Sequence, residues 1–290
     1  MPYLLLCFSI ILAVLKSSVY NSYAKKSQPL IHDTFNFNAI TYGTAAIIAI
    51  MVMLFGDITL TLATLFCALG YAVIVFSLQT ISITAMKKGS MYLTSICIMY
   101  GMIIPSLAGP IFWGEKLGAL QIVGIILMVI SLWFMSDKGE KSSNVSKKWI
   151  ILALFAFILS GMAGLMEKIH QSTIGRDEKS MFVLVACGFM LIFSIIASLF
   201  TKKLGTSNVK AKTLTIYGAI LGAVVGFYSV VNLTLSGTLD SMIYYPIANG
   251  GAMLLTVIIS VFAFKEPLDK FKIVGLIAGI SGIVFLSIPI

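Results

Sequence analysis

The chain has 290 residues, 59% of them hydrophobic and 11% charged, with a mean hydropathy of +1.03 and a net charge of +9. Soluble domains carry roughly 25% charged residues, so a mostly wetted surface is excluded. Apolar runs of about 20 residues recur and match a hydrocarbon core of roughly 30 Å, and their length favours helices over barrel strands. The positive charge does not point to nucleic acid, because the lysines sit in short clusters between apolar runs, the pattern that orients membrane proteins.

Ten spans are predicted in chain order, near 2–21, 35–55, 61–85, 90–113, 118–136, 148–168, 180–201, 212–236, 241–264 and 271–289. The first lacks the basic leader and small-residue cleavage site of a signal peptide, and it has a counterpart after residue 148, so it is read as a retained helix. Cys7, Cys67, Cys97 and Cys187 lie inside spans, without disulfide or zinc spacing, and are read as small apolar packing residues. Pro105 and Pro110 are expected to bend the fourth span and Pro246 the ninth. Gly218, Gly222 and Gly226, like Gly275, Gly279 and Gly282, form small-residue ridges suited to close helix contact.

The stretch W-G-E-K-L-G-A-L-Q-I-V-G at Trp113–Gly124 returns 151 positions later as F-K-E-P-L-D-K-F-K-I-V-G at Phe264–Gly275. Glu115 falls on Glu266, Leu117 on Leu268 and Gly124 on Gly275. The chain therefore reads as a duplication, with residues 1–146 and 147–290 as five-helix repeats joined by the polar linker Asp137–Lys148. Together they form one transport domain.

Lysine and arginine divide unevenly between the two faces. Fifteen fall on one side (Lys25, Lys26, Lys87, Lys88, Lys138, Lys141, Lys147, Lys148, Lys202, Lys203, Lys210, Lys212, Lys265, Lys270 and Lys272). Four fall on the other (Lys116, Lys168, Arg176 and Lys179). The richer side is expected to be cytoplasmic, which puts both termini outside. An odd number of spans per repeat forces opposite insertion of the halves, an arrangement used by transporters with a midplane site. The expected fold is an all-α polytopic membrane protein of ten transmembrane helices in two inverted five-helix repeats.

The G-E-K-L turn at Gly114–Leu117, the K-E-P-L turn at Lys265–Leu268 and the I-V-G that opens each following span resemble the drug/metabolite transporter superfamily, in its ten-helix EamA-like branch. The resemblance implies a secondary transporter with a central cavity lined by the first, third and fourth helices of each repeat. Relatives associate through terminal helices, so a homodimer is an expectation of the resemblance alone. The similar small multidrug resistance proteins depend on a membrane-embedded Glu in a helix corresponding to the second and seventh spans here. Neither predicted span holds an acid, which argues against proton-coupled export of cationic drugs.

Candidate site residues come from helix faces. Ser9, Ala13, Lys16 and Tyr20 share a face of the first span, and the duplication sets them against Ser160, Gly164, Glu167 and Gln171. Charged groups within spans are costly and face cavities or partners. Lys16 is read as an anchor for a carboxylate or phosphate, Glu167 as a gating or proton site, with snorkelling to the interface as the bland reading of both. Tyr71, Gln79, Tyr100, Tyr228, Asn232, Tyr245 and Asn249 supply neutral hydrogen-bonding groups for a small polar substrate, or else interhelical ties. Glu115 and Glu266 are read as structural turn residues that accept hydrogen bonds at the start of the helices that follow them.

His32 and His170 lie at different span edges, and no metal, phosphate-loop or nucleophile–base pattern is present. The expected function is a non-enzymatic, cofactor-free transporter in the plasma membrane, moving a small polar metabolite such as an amino acid by alternating access. A multidrug or cation exporter and a flippase for a lipid-linked sugar are the alternatives. The expected partners are the small-molecule substrate and the lipid bilayer, with no nucleic acid and no metal.

Overall fold

A computed structural model describes residues 2–27, 31–54, 58–88, 91–116, 118–135, 147–175, 177–202, 209–264, 270–286 and 288. Among them all regular structure is helical: α1 (Pro2–Ser27), α2 (Ile31–Met53), α3 (Leu62–Lys88), α4 (Met91–Tyr100), α5 (Ile103–Trp113), α6 (Ala119–Met135), α7 (Lys147–Ile169), a π-helical turn (His170–Ile174), α8 (Lys179–Thr201), α9 (Ala211–Thr238), α10 (Ser241–Phe264) and α11 (Lys270–Leu286). Six stretches, in α1, α2, α3, α7 with its π turn, α8 and α9, are long and apolar enough to cross a membrane. Many of their large apolar side chains face outward, Phe8, Leu199 and Phe200 among them, as a lipid-facing surface requires. The 136–146 part of the linker and the turn at Lys265–Leu268, with Glu266, lie outside the described residues.

Two departures from the predicted spans have local causes. The fourth span is two helices, because Pro105 brings no N–H to the carbonyl of Gly101 and its ring crowds that carbonyl. The Gly101 oxygen accepts instead from Ile104 N–H at 3.1 Å, and tight turns precede it at Gly101 and Met102. Pro246 does not break its helix, and α10 runs through it. The second departure is at α2, which starts four residues before the predicted edge and thereby takes in Asp33, fully buried. The apolar run understates a helix whose polar end is covered by protein, and the premise that this span holds no acid is wrong.

The chain divides into two compact units. The first contains residues 1–10, 77–168 and 238–290, the second residues 11–76 and 169–237. In the first unit α6 packs most extensively on α11, and α10 packs on α5, α6 and α11. Close approach depends on small residues: a Cβ on Gly124 would lie 2.8 Å from Leu286 and 3.0 Å from the Gly282 carbonyl, and one on Gly282 would lie 3.0 Å from the Gly124 carbonyl. The hydroxyl of Ser131 donates to the Gly275 carbonyl at 2.7 Å. Gly275 and Gly282 stand 151 positions after Gly124 and Ser131, so under that shift the contact is reciprocal.

In the second unit α2 packs on α8, which lies about 151 positions further along the chain. A polar seam crosses that contact: Asn36 Nδ2 donates to His32 Nε2 at 3.0 Å, which leaves His32 Nδ1–H to donate to the Ser198 carbonyl at 3.0 Å. The ridge Gly218–Gly222–Gly226 of α9 seats against Ile40, Thr44 and Ile48 of α2. Beside it the rings of Tyr23 and Phe37 stack at 3.9 Å over Leu221.

Candidate functional site

The predicted site residues fall into two groups. The second unit holds Lys16, Tyr71, Tyr228 and Asn232, and the first holds Gln79, Tyr100, Glu167, Tyr245 and Asn249.

In the second unit the Lys16 ammonium stands 4.2 Å from the centroid of the Tyr228 ring. Both residues are half-buried, and Asn232, buried, lies one turn further along α9. A cation over a phenol ring beside an amide donor offers a charge and two hydrogen-bonding groups within one turn of α9. The Tyr71 ring tilts against Phe182 at 5.4 Å.

A second polar cluster in this unit was missed from sequence. His170, fully buried in the π turn, accepts from Gln171 Nε2 at its Nδ1 (2.9 Å), so its Nε2–H donates to the Thr64 hydroxyl at 3.0 Å. Glu178 accepts from both the N–H and the hydroxyl of Thr61 at 3.0 Å. Thr61 is the cap of α3, and its hydroxyl also accepts from Thr64 N–H at 3.3 Å, an N-cap bond. Burial pushes the Glu178 carboxyl up, but the hydrogen bonds from Thr64 and Thr61 outweigh it and hold the group below its ordinary 4.5. The π turn is closed by Gly175 N–H to the His170 carbonyl at 3.0 Å. Such turns are frequent at functional sites, but the apolar pattern of the helix gives no sign of this one.

In the first unit several predicted binding groups are taken up by the scaffold. The Tyr245 hydroxyl donates to the Gly164 carbonyl at 2.6 Å, tying α10 to α7, and Asn249 Nδ2 donates to the Tyr245 carbonyl at 2.9 Å within its own helix. Tyr100 donates to the Val129 carbonyl at 3.2 Å. Gln79 is half-buried and Glu167 buried.

The most constrained polar centre here is Glu115. Gly114, at φ +63°, ends α5 in the left-handed conformation and turns the chain so that Glu115 points inward. At the start of α6 Gln121 Oε1 accepts from Gly118 N–H at 3.2 Å. Glu115 Oε2 accepts from the Ser241 N–H at 2.7 Å, the first backbone donor of α10, and Oε1 from the Ser241 hydroxyl at 3.2 Å. Lys168 Nζ sits 2.8 Å from Oε1 and also donates to the Leu239 carbonyl at 3.2 Å. Both charged side chains are only 7% exposed. Sequence placed Glu115 at a turn; that it also holds the start of α10 was not legible.

No family model matches the sequence, and no curated protein does. A solved structure described only as the crystal structure of a protein superposes with a TM-score of 0.80, covering 99% of this chain and 96% of its own, at 12% identity. This chain therefore shares its whole fold with a known protein, and at that identity the likeness speaks for the fold alone.

Proposed function

We propose that the chain is a secondary transporter of the drug/metabolite superfamily, EamA-like, built as two inverted five-helix repeats in the plasma membrane with both termini outside. Its cargo is a small polar metabolite, an amino acid or a related compound, moved by alternating access. The observation that carries the reading is the pairing of duplicated helices: α2 packs on α8 and α6 on α11. In the latter pair Gly124 meets Gly282 while Ser131 meets Gly275. Contacts in which i meets j and j meets i mark a local two-fold axis, and repeats of odd span number related this way run in opposite directions. Lys16, Tyr228 and Asn232 support a polar cargo that carries a carboxylate.

The test is counterflow in proteoliposomes across amino acids, nucleosides, polyamines and drug cations, with Lys16→Ala and Asn249→Ala proteins run beside the wild type. Counterflow of an amino acid that Lys16→Ala abolishes is expected. Absence of counterflow for every compound, from folded protein, would sink the transporter reading. Survival of transport in both variants would sink the site assignment alone.

Asp33, buried within α2, favours a second reading, export of organic cations. Under it the drug cations show counterflow, and Asp33→Asn abolishes it.

A further inference from the structure

Glu115, Lys168 and the start of α10 form a contact whose chemistry suits a latch that opens. The α5–α6 turn and the α9–α10 junction are joined twice over: Glu115 holds the N–H and hydroxyl of Ser241, and Lys168, itself bonded to Glu115, holds the Leu239 carbonyl. The fit is close, since a Cβ on Gly109 would collide with the Glu115 carboxylate. Two of the points where the chain passes from one unit to the other, Lys168/Ile169 and Gly237/Thr238, lie at or beside these residues. The π turn begins two residues after Lys168.

A buried ion pair of this kind adds little net stability, because the cost of stripping water from both charges offsets their attraction. It does fix geometry, since either charge left alone in the same place is strongly unfavourable. When the contact opens and both charges rehydrate, most of the lost solvation returns, so the closed and open forms lie near one another in free energy. Separating apolar surfaces of similar extent would bring no such return. The Ser241 N–H has no partner within its own helix, so opening exposes a donor that water can take without unwinding α10.

We propose that the Glu115–Lys168–Ser241 cluster is an ionic latch that closes the turn end of α5, α6 and α10 in one state of the transport cycle and opens in another. The inference rests on the transporter reading for its meaning in the cycle, and on this geometry for the latch itself.

The experiment places spin labels at Lys116→Cys and Asp240→Cys, both exposed positions, in full-length protein carrying Cys7→Ser, reconstituted in nanodiscs, and measures their separation by pulsed electron resonance. The latch predicts a dominant short distance and a longer one populated on the order of a few per cent. Lys168→Met and, separately, Glu115→Gln raise the longer population about tenfold, whereas Lys168→Arg restores the short one. A single unchanged distance in every folded variant would overturn the latch and leave the cluster a static tie. Counterflow assayed on the same proteins separates the two ideas. Redistributed distances without transport of any compound keep the latch and remove the transporter; transport with invariant distances does the reverse.

Discussion

Glu115 in one unit and Glu178 in the other each set a carboxylate on a backbone N–H at the start of a helix distant in sequence: Ser241 of α10 for the first, Thr61 before α3 for the second. Their company differs. Glu115 is paired with the buried ammonium of Lys168 at 2.8 Å. Glu178 is surrounded by hydroxyls, those of Thr61 and Thr64, with the imidazole of His170 behind them. The two contacts therefore fail in different ways. Glu115 loses its contact when its partner is removed, and Glu178, held by hydroxyl and backbone donors, loses its own when it takes up a proton. Lys16, standing over the Tyr228 ring, is a third kind, a charge beside a polarisable face.

The largest expected effect tests the paired case. Lys168→Met leaves a buried carboxylate without its cation and should lower unfolding stability in detergent by about 3 kcal/mol. The double variant Glu115→Gln/Lys168→Met should recover most of that loss, because an amide still accepts from Ser241 and no charge is stranded. Equal loss in the single and double variants would show that Lys168 matters through packing, and the contrast with Glu178 would collapse.

The next effect is a pH dependence at Glu178. The Glu178 carboxyl is held below its ordinary 4.5 in the folded protein. Its contribution is therefore fully present above that value and is lost as pH falls through the lowered one. Titrating the unfolding midpoint from neutral to acid pH should reveal this loss in the wild type and a smaller one in Glu178→Gln. Identical acid profiles would remove Glu178 from the account.

The smallest effect is at Lys16. A double-mutant cycle with Lys16→Met and Tyr228→Leu should return a coupling of about 1 kcal/mol, and Tyr228→Phe should keep most of it. A coupling indistinguishable from zero would mean that the ammonium merely passes the ring.

The helices were legible because apolar length is a one-dimensional property, although α1 runs on to Ser27, past its predicted edge at 21, and α2 starts at Ile31, before its predicted edge at 35. Asp33 is the instructive error. A polar residue at an apolar boundary reads as the end of a span, yet here the helix continues through it and other elements bury it. Pro105 was read correctly as a disturbance, but the sequence did not distinguish its break at Gly101 from the unbroken course of α10 through Pro246. Of the candidate site, Lys16 and Tyr228 were both named from helix faces, and the fold brings them together. Lys168 and His170 were passed over because periodicity ranks faces, and these residues act at helix ends.

Membrane-compatible helices and a stretch that recurs 151 positions later could be read from the amino acids alone, since hydrophobic length and constant spacing need no coordinates. Which helix a loop glutamate serves, where a proline breaks a helix and which lysine meets which acid were decided only by the tertiary structure. Those outcomes depend on distances between residues far apart in the chain, and a linear pattern holds no record of them.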